Sequence, residues 1–197
     1  MEASLGVAFL LIAYANPDPI LAVLLAALVT ILAIGAAYDL EHLIIPDEVV
    51  VGACGAGIMI LGYHVVLGAP LSATVIDAVG GAMIGFLFFG ALWRLSHGKW
   101  MGFGDAKLAI PLGMLTGITG GFSMIVLSFW VGAVVSLGYM AVVRVWGGQS
   151  ALRFHGTPIT MKSEVPFAPY LLIAFVLVYF FHLDVLALTS YVSQLFI

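Results

Sequence analysis

From Pro19 to Tyr38 the chain runs for twenty residues without a charge, and several later runs are nearly as apolar. A helix that crosses the hydrocarbon core of a bilayer needs about 20 mostly apolar residues. A core made by this chain alone could not bury them all, because 63% of its 197 residues are hydrophobic and only 8% are charged. A soluble domain carries about 25% charged residues. Lipid must therefore serve as solvent for much of the surface. The expected fold class is all-α, a polytopic transmembrane bundle. Six basic and ten acidic residues form no run that suggests a nucleic-acid partner. The lone Cys54 excludes an internal disulfide and any CxxC site, and it reads as a packing residue in a Gly/Ala-rich stretch.

Residues 19–183 read as a core of six spans. These are Pro19–Tyr38, Val49–Leu67, Thr74–Leu95, Asp105–Thr119 closed by Gly120-Gly121, Phe122–Val145 and Pro166–Leu183. Residues 1–18 hold a short hydrophobic segment, Leu5–Ala15. It reads as a truncated seventh span or an interfacial piece, and it lacks the basic start and cleavage site of a signal peptide. Residues 184–197 read as a tail of mixed polarity at the interface. Alternating threading puts Arg94, Lys99 and Lys107 in or beside one loop, and Arg144, Arg153 and Lys162 in or beside another on the same side. Positive loops mark the cytoplasmic side, so Asp18, Asp77 and Asp184 fall outside. The first span also ends on the cytoplasmic side. Asp39 and Asp105, 66 residues apart, are thus expected at one membrane face of a cell inner membrane protein.

Asp39 follows small and apolar residues on a helix still at membrane depth, where an ionisable group is costly and points to function. Pro46 ends helical geometry before itself, and Asp47 suits the start of the next helix, as a cap or a substrate-orienting group. In MGFGDAKL, Gly102 and Gly104 permit positive φ and close backbone approach ahead of Asp105. Asp105 would lie in the first turn of its helix. Lys107 could pair with Asp105 or with Asp39, or simply snorkel. Two converging carboxylates suggest aspartyl peptidase chemistry. Like charges a few ångströms apart cannot both ionise easily, so one keeps its proton while the other activates water. The glycine-rich segment Ser96–Gly104 is expected to be mobile without substrate, and the two aspartates need not touch at rest. No GxSxG or HExxH appears. A metal site from Asp39, Glu41, His42 and Asp47 lacks a second ligand cluster, so neither metal nor cofactor is expected.

These two segments resemble signatures of a known family. YDLEHLIIPD, Tyr38–Asp47, is similar to the segment of type IV prepilin peptidases that runs from an aspartate to [IL]-P-[DN], and GFGDAKL is similar to their GxGDxKL. Gly113, Gly117 and VPFAPYLLIA, Val165–Ala174, also resemble the family's later pattern, with Ala168 where glycine is common. The resemblance covers roughly Pro19–Leu183. It implies a GxGD-type aspartic membrane endopeptidase with Asp39 and Asp105 as its catalytic pair. It further implies removal of short basic leaders from prepilins or pseudopilins at the cytoplasmic face. Many bacterial members add an N-terminal methyltransferase region with paired CxxC motifs. A chain with one cysteine resembles the form without it, or one whose methyltransferase region lies outside this sequence. Tyr38-Asp39 and the GxGD segment are also similar to presenilin-like proteases, but the Ile-Pro-Asp after Asp39 and the lack of a Pro-Ala-Leu tripeptide argue against them. A small transporter or proton pathway would use buried carboxylates too, yet such proteins often carry internal repeats, and none is seen. Oligomeric state leaves no mark in the sequence.

Overall fold

The computed structural model describes residues 18–146 and 167–185, together with Gly6, Phe9, Ile12, Arg153, Phe154, Thr157, Pro158 and Ala187. Leu5–Ala15 thus lies mostly outside the described residues, and Lys162 lies outside them entirely.

Helix α1 spans Pro19–His42. Asp18 caps it by accepting from the Ile20 and Leu21 N–H groups at 2.9 and 3.4 Å. The Tyr63 hydroxyl donates to the other Asp18 oxygen at 2.6 Å, which holds the Asp18 carboxyl below its ordinary range, helped by the two backbone bonds. The helix does not stop at Asp39, as a reading of charge alone expects. One carboxylate in a last turn breaks no backbone bond, so the helix runs on to Leu43, whose φ of 56° terminates it. Leu25, Leu28, Leu32, Gly35 and Asp39 are the buried residues of α1. Their three- and four-residue spacing forms one inward stripe, and Asp39 is its last member.

Helix α2 spans Asp47–Val66 and starts directly after Pro46, which takes the N-cap position. Helix α3 spans Leu71–Ser96 and turns Ala78, Gly81, Gly85 and Phe89 inward. Helix α4 spans Phe103–Trp146 but is broken at Gly117, where φ is 72° and ψ is −171°. Its contacts with α3 reveal a reversal. Along the first arm, Phe103 meets Phe86 and Trp93, a Cβ on Gly85 would lie 2.9 Å from the Ala109 carbonyl, and one on Gly81 would strike the Gly113 carbonyl. Along the second arm, Gly121 lies beside Gly81 and Phe129 beside Phe88 and Phe89. The first arm is therefore antiparallel to α3 and the second parallel to it. The chain doubles back at Gly117, not at Gly120-Gly121, which are helical.

Asp77 of α3 explains the position of the break. Its Oδ1 accepts from the Ile118 N–H at 2.9 Å, so it caps the second arm from a neighbouring helix. A side chain on Gly117 would strike this carboxylate, and the positive φ there also disfavours one. Asp77→Ala should cost about 1 kcal/mol, the usual loss for a missing cap. It should lower the melting temperature in detergent by a few degrees, whereas Gly117→Val should prevent recovery of folded protein.

The strands β1, Arg153–Phe154, and β2, Thr157–Pro158, pair antiparallel over two residues each. Helix α5 spans Ala168–Phe181. The first residues after α5 pack on the bundle, and most of residues 184–197 lie outside the described residues. Ser123 donates to Asp184 at 2.8 Å and accepts from the Val185 N–H at 3.1 Å, and Val185 is buried.

Among the described residues, α1, α2, α3 and the Phe103–Gly138 stretch of α4 are long and apolar enough to cross a membrane, while α5 is shorter. Their outer faces remain apolar, as with Val51 at 70%, Val66 at 80% and Val134 at 70% exposure. Such contiguous apolar surface suits contact with hydrocarbon and not with water.

Candidate active site: two carboxylates in one cleft

Asp39 ends the inward stripe of α1, and Asp105 stands in the first turn of α4. Both are 5% exposed, and both line one cleft of about 820 Å³. A backbone N–H faces each carboxylate, that of Ala168 at the start of α5 for Asp39 and that of Gly102 for Asp105. Asp39 Oδ2 is buried and meets no hydrogen-bond partner. An unmatched buried polar atom is costly, and in a folded protein it calls for an explanation such as a catalytic role.

The cleft wall includes the loop Gly98–Gly104, the linker Leu43–Ile45, and Phe129, Gly132, Ala133 and Ser136 on one face of the second arm. Phe167 and Tyr170 close it from α5. These aromatic residues were not among the site residues expected from the sequence. The signal was present in VPFAPYLLIA, but nothing local to that segment shows that it meets the two aspartates. Phe167 lies 5.4 Å from Phe129 and 5.6 Å from Phe89 between ring centroids, so the residue that caps α5 reaches the α3 and α4 aromatic rings, while α5 itself packs on α1 and α4.

Several expectations are corrected here. Lys107 pairs with neither Asp39 nor Asp105. Its Nζ lies 2.6 Å from Asp47 Oδ1 and 5.3 Å from the Phe103 ring centroid. Asp47 is the first residue of α2, not its cap, and its carboxylate is turned to Lys107. Gly102 and Gly104 do not take positive φ; Gly98 does, at 74°. Gly104 is needed for close approach instead, since a Cβ there would stand 3.1 Å from Ile45 Cβ. Pro46 is half-buried between Ile45 and Asp47 with φ −62°.

The helices define a multi-pass membrane protein, and two carboxylates buried among them in one cleft are candidates for a functional site, since ionisable groups at membrane depth are costly to keep. The model of the type IV leader peptidase family matches residues 26–137, which include both aspartates, and the chain belongs to that family. Over 142 residues it is 33% identical to a prepilin leader peptidase/N-methyltransferase of Aeromonas salmonicida, covering 69% of this chain and 41% of that protein. Over 143 residues it is 35% identical to a protein of the same description from Stutzerimonas stutzeri, covering 69% and 42%. The chain therefore spans about two fifths of the length of the curated relatives it matches. No solved structure gives a significant match.

Proposed function

We propose that this protein is an aspartic endopeptidase that removes the basic leader from type IV prepilins or pseudopilins at the cytoplasmic membrane face. Membership of the family supports the peptidase activity and the substrate class. The single observation that carries the chemistry is the burial of Asp39 and Asp105 in one cleft with an unpartnered Asp39 oxygen. In this reading the two carboxylates hold one proton between them. The ionised member deprotonates a water, and the protonated member polarises the scissile carbonyl and later protonates the leaving amine. The pair titrates as a unit, so no fixed acid and base are assigned.

Six crossings suit the fold best. The two arms of α4 count separately because the chain reverses at Gly117, and α5 supplies the sixth. The cleft end carries Arg94, Lys99 and Lys107, and the opposite end carries Asp18, Asp77 and Asp184, a distribution that favours a cytoplasmic cleft. The purified protein mixed with a full-length prepilin should release the leader at one bond. Intact prepilin after prolonged incubation with folded enzyme would refute the peptidase reading.

Glu41, Asp47 and Glu48 are exposed at this end and would attract a basic leader. Replacing the leader's lysines by glutamates should raise KM several-fold at low salt, and the difference should shrink as salt screens it. Equal KM for both leaders at low ionic strength would remove the electrostatic part of the proposal.

A further inference from the structure

Among the described residues, the backbones of the two helices that carry the carboxylates do not come within 8 Å of one another. Helix α1 packs on α2 and α5, while α4 packs on α2, α3 and α5. No close backbone approach of α1 to α4 sets the distance from Asp39 to Asp105, although a shared proton requires that distance to be short. Two indirect bridges remain.

One bridge is α5. The Ala168 N–H faces Asp39, and the adjoining Phe167 ring meets Phe129. Phe129 lies on the second arm of α4, across the break at Gly117 from Asp105, so this bridge reaches Asp105 by a long route.

The other bridge is short and grips Asp105 on both sides in sequence. Ile45, 6% exposed, lies against Gly104. Two residues along the linker, Asp47 binds Lys107 at 2.6 Å. Gly104 and Lys107 flank Asp105, and Ile45 and Asp47 flank Pro46, whose ring stiffens the backbone between the two anchors. It is the one ion pair among the described residues. It joins the segment that follows Asp39 to the segment that holds Asp105. The Phe103 ring confines the lysine from a second side. The side chains are 33% exposed for Lys107 and 71% for Asp47, and so open a pair contributes little to folding stability. Its geometric effect is a separate matter, because a misplacement of about 1 Å in a catalytic group can cost about 100-fold in rate.

We propose that Asp47 and Lys107 are positioning residues whose ion pair, with Ile45 seated on Gly104, sets the separation of the Asp39 and Asp105 carboxylates. This rests on the peptidase reading for its consequence, but the placement itself can be measured without activity. In a background with Cys54→Ser, Asp39→Cys and Asp105→Cys, a short bifunctional thiosulfonate should bridge the two cysteines. Adding Lys107→Met should lower the bridging rate several-fold, and the charge-swapped pair Asp47→Lys with Lys107→Asp should restore it. In the enzyme with both aspartates, Lys107→Met should lower kcat about ten-fold or more, with KM and melting temperature little changed. A lysine that served to bind substrate would raise KM instead. High salt should lower kcat of the parent enzyme and leave that of Lys107→Met unchanged, since only the parent has the pair to screen. Asp47→Asn provides the same break from the more exposed partner in the bridging assay, where leader binding plays no part, if Lys107→Met is not recovered folded. Bridging that does not occur in the parent, or that proceeds equally with and without the ion pair, would overturn the proposal. So would a swap that fails to restore it. Bridging of the dicysteine protein that depends on the ion pair, together with no prepilin cleavage by the folded enzyme that keeps both aspartates, would refute the peptidase reading alone.

Discussion

Asp39→Asn and Asp105→Asn should each reduce leader cleavage by about 100- to 10,000-fold, the range expected when a group that transfers protons is lost, while the bundle remains folded. The two effects should not add, because either change disables the same unit. Stability separates this outcome from trivial misfolding. Both side chains are 5% exposed, and one oxygen of Asp39 has no hydrogen-bond partner. A buried carboxylate without compensation is costly, so a neutral amide of the same shape should leave the melting temperature unchanged or raise it. Sites kept for function often lower stability in this way. The measurement is single-turnover cleavage beside thermal unfolding in the same detergent. Near-normal turnover by either variant would exclude the dyad.

Gly104→Val should reduce cleavage by about ten-fold or more, through misplacement of Asp105 rather than loss of chemistry. Its Cβ would stand 3.1, 3.3 and 3.4 Å from Ile45 Cβ, Cγ1 and Cδ1. The two further methyl groups of valine would push the α1–α2 linker off the first arm of α4. Overpacking of this kind costs about 1–3 kcal/mol. Gly104→Ala should be milder, since the Ile45 side chain need yield only slightly. Gly102→Ala serves as the control. The atoms nearest a Cβ there are at 3.8 and 3.9 Å, and its φ is not positive, so activity should persist. Strong loss at position 102 with none at 104 would show that the constraint is substrate clearance and not the Ile45 contact.

The spacing of residues carried much of this fold. Apolar runs of the right length located α1, α2 and α3 to within a few residues, because hydrocarbon thickness and helical rise set span length together. The inward position of Asp39 is also legible, since it continues the stripe of Leu25, Leu28, Leu32 and Gly35 at helical spacing. The glycine-flanked Asp105 at the start of a helix is local as well.

Other features were decided only by tertiary structure. Gly117, Gly120 and Gly121 are all plausible breaks by sequence, and glycine is permissive at each. Asp77, 41 residues from Ile118, selects among them by capping one N–H. Lys107 has Asp39, Asp47 and Asp105 within plausible reach of a flexible side chain. Sequence spacing cannot rank them, and the packing of α2 against α4 places Asp47 at its end. Phe167 and Tyr170 join the cleft because α5 lies beside α1 and α4. The chain by itself determined which segments are helical and which carboxylates face inward, since both follow from periodicity along one helix. Which helix end meets which depends on interdigitation between residues far apart in sequence, and local periodicity contains no term for that.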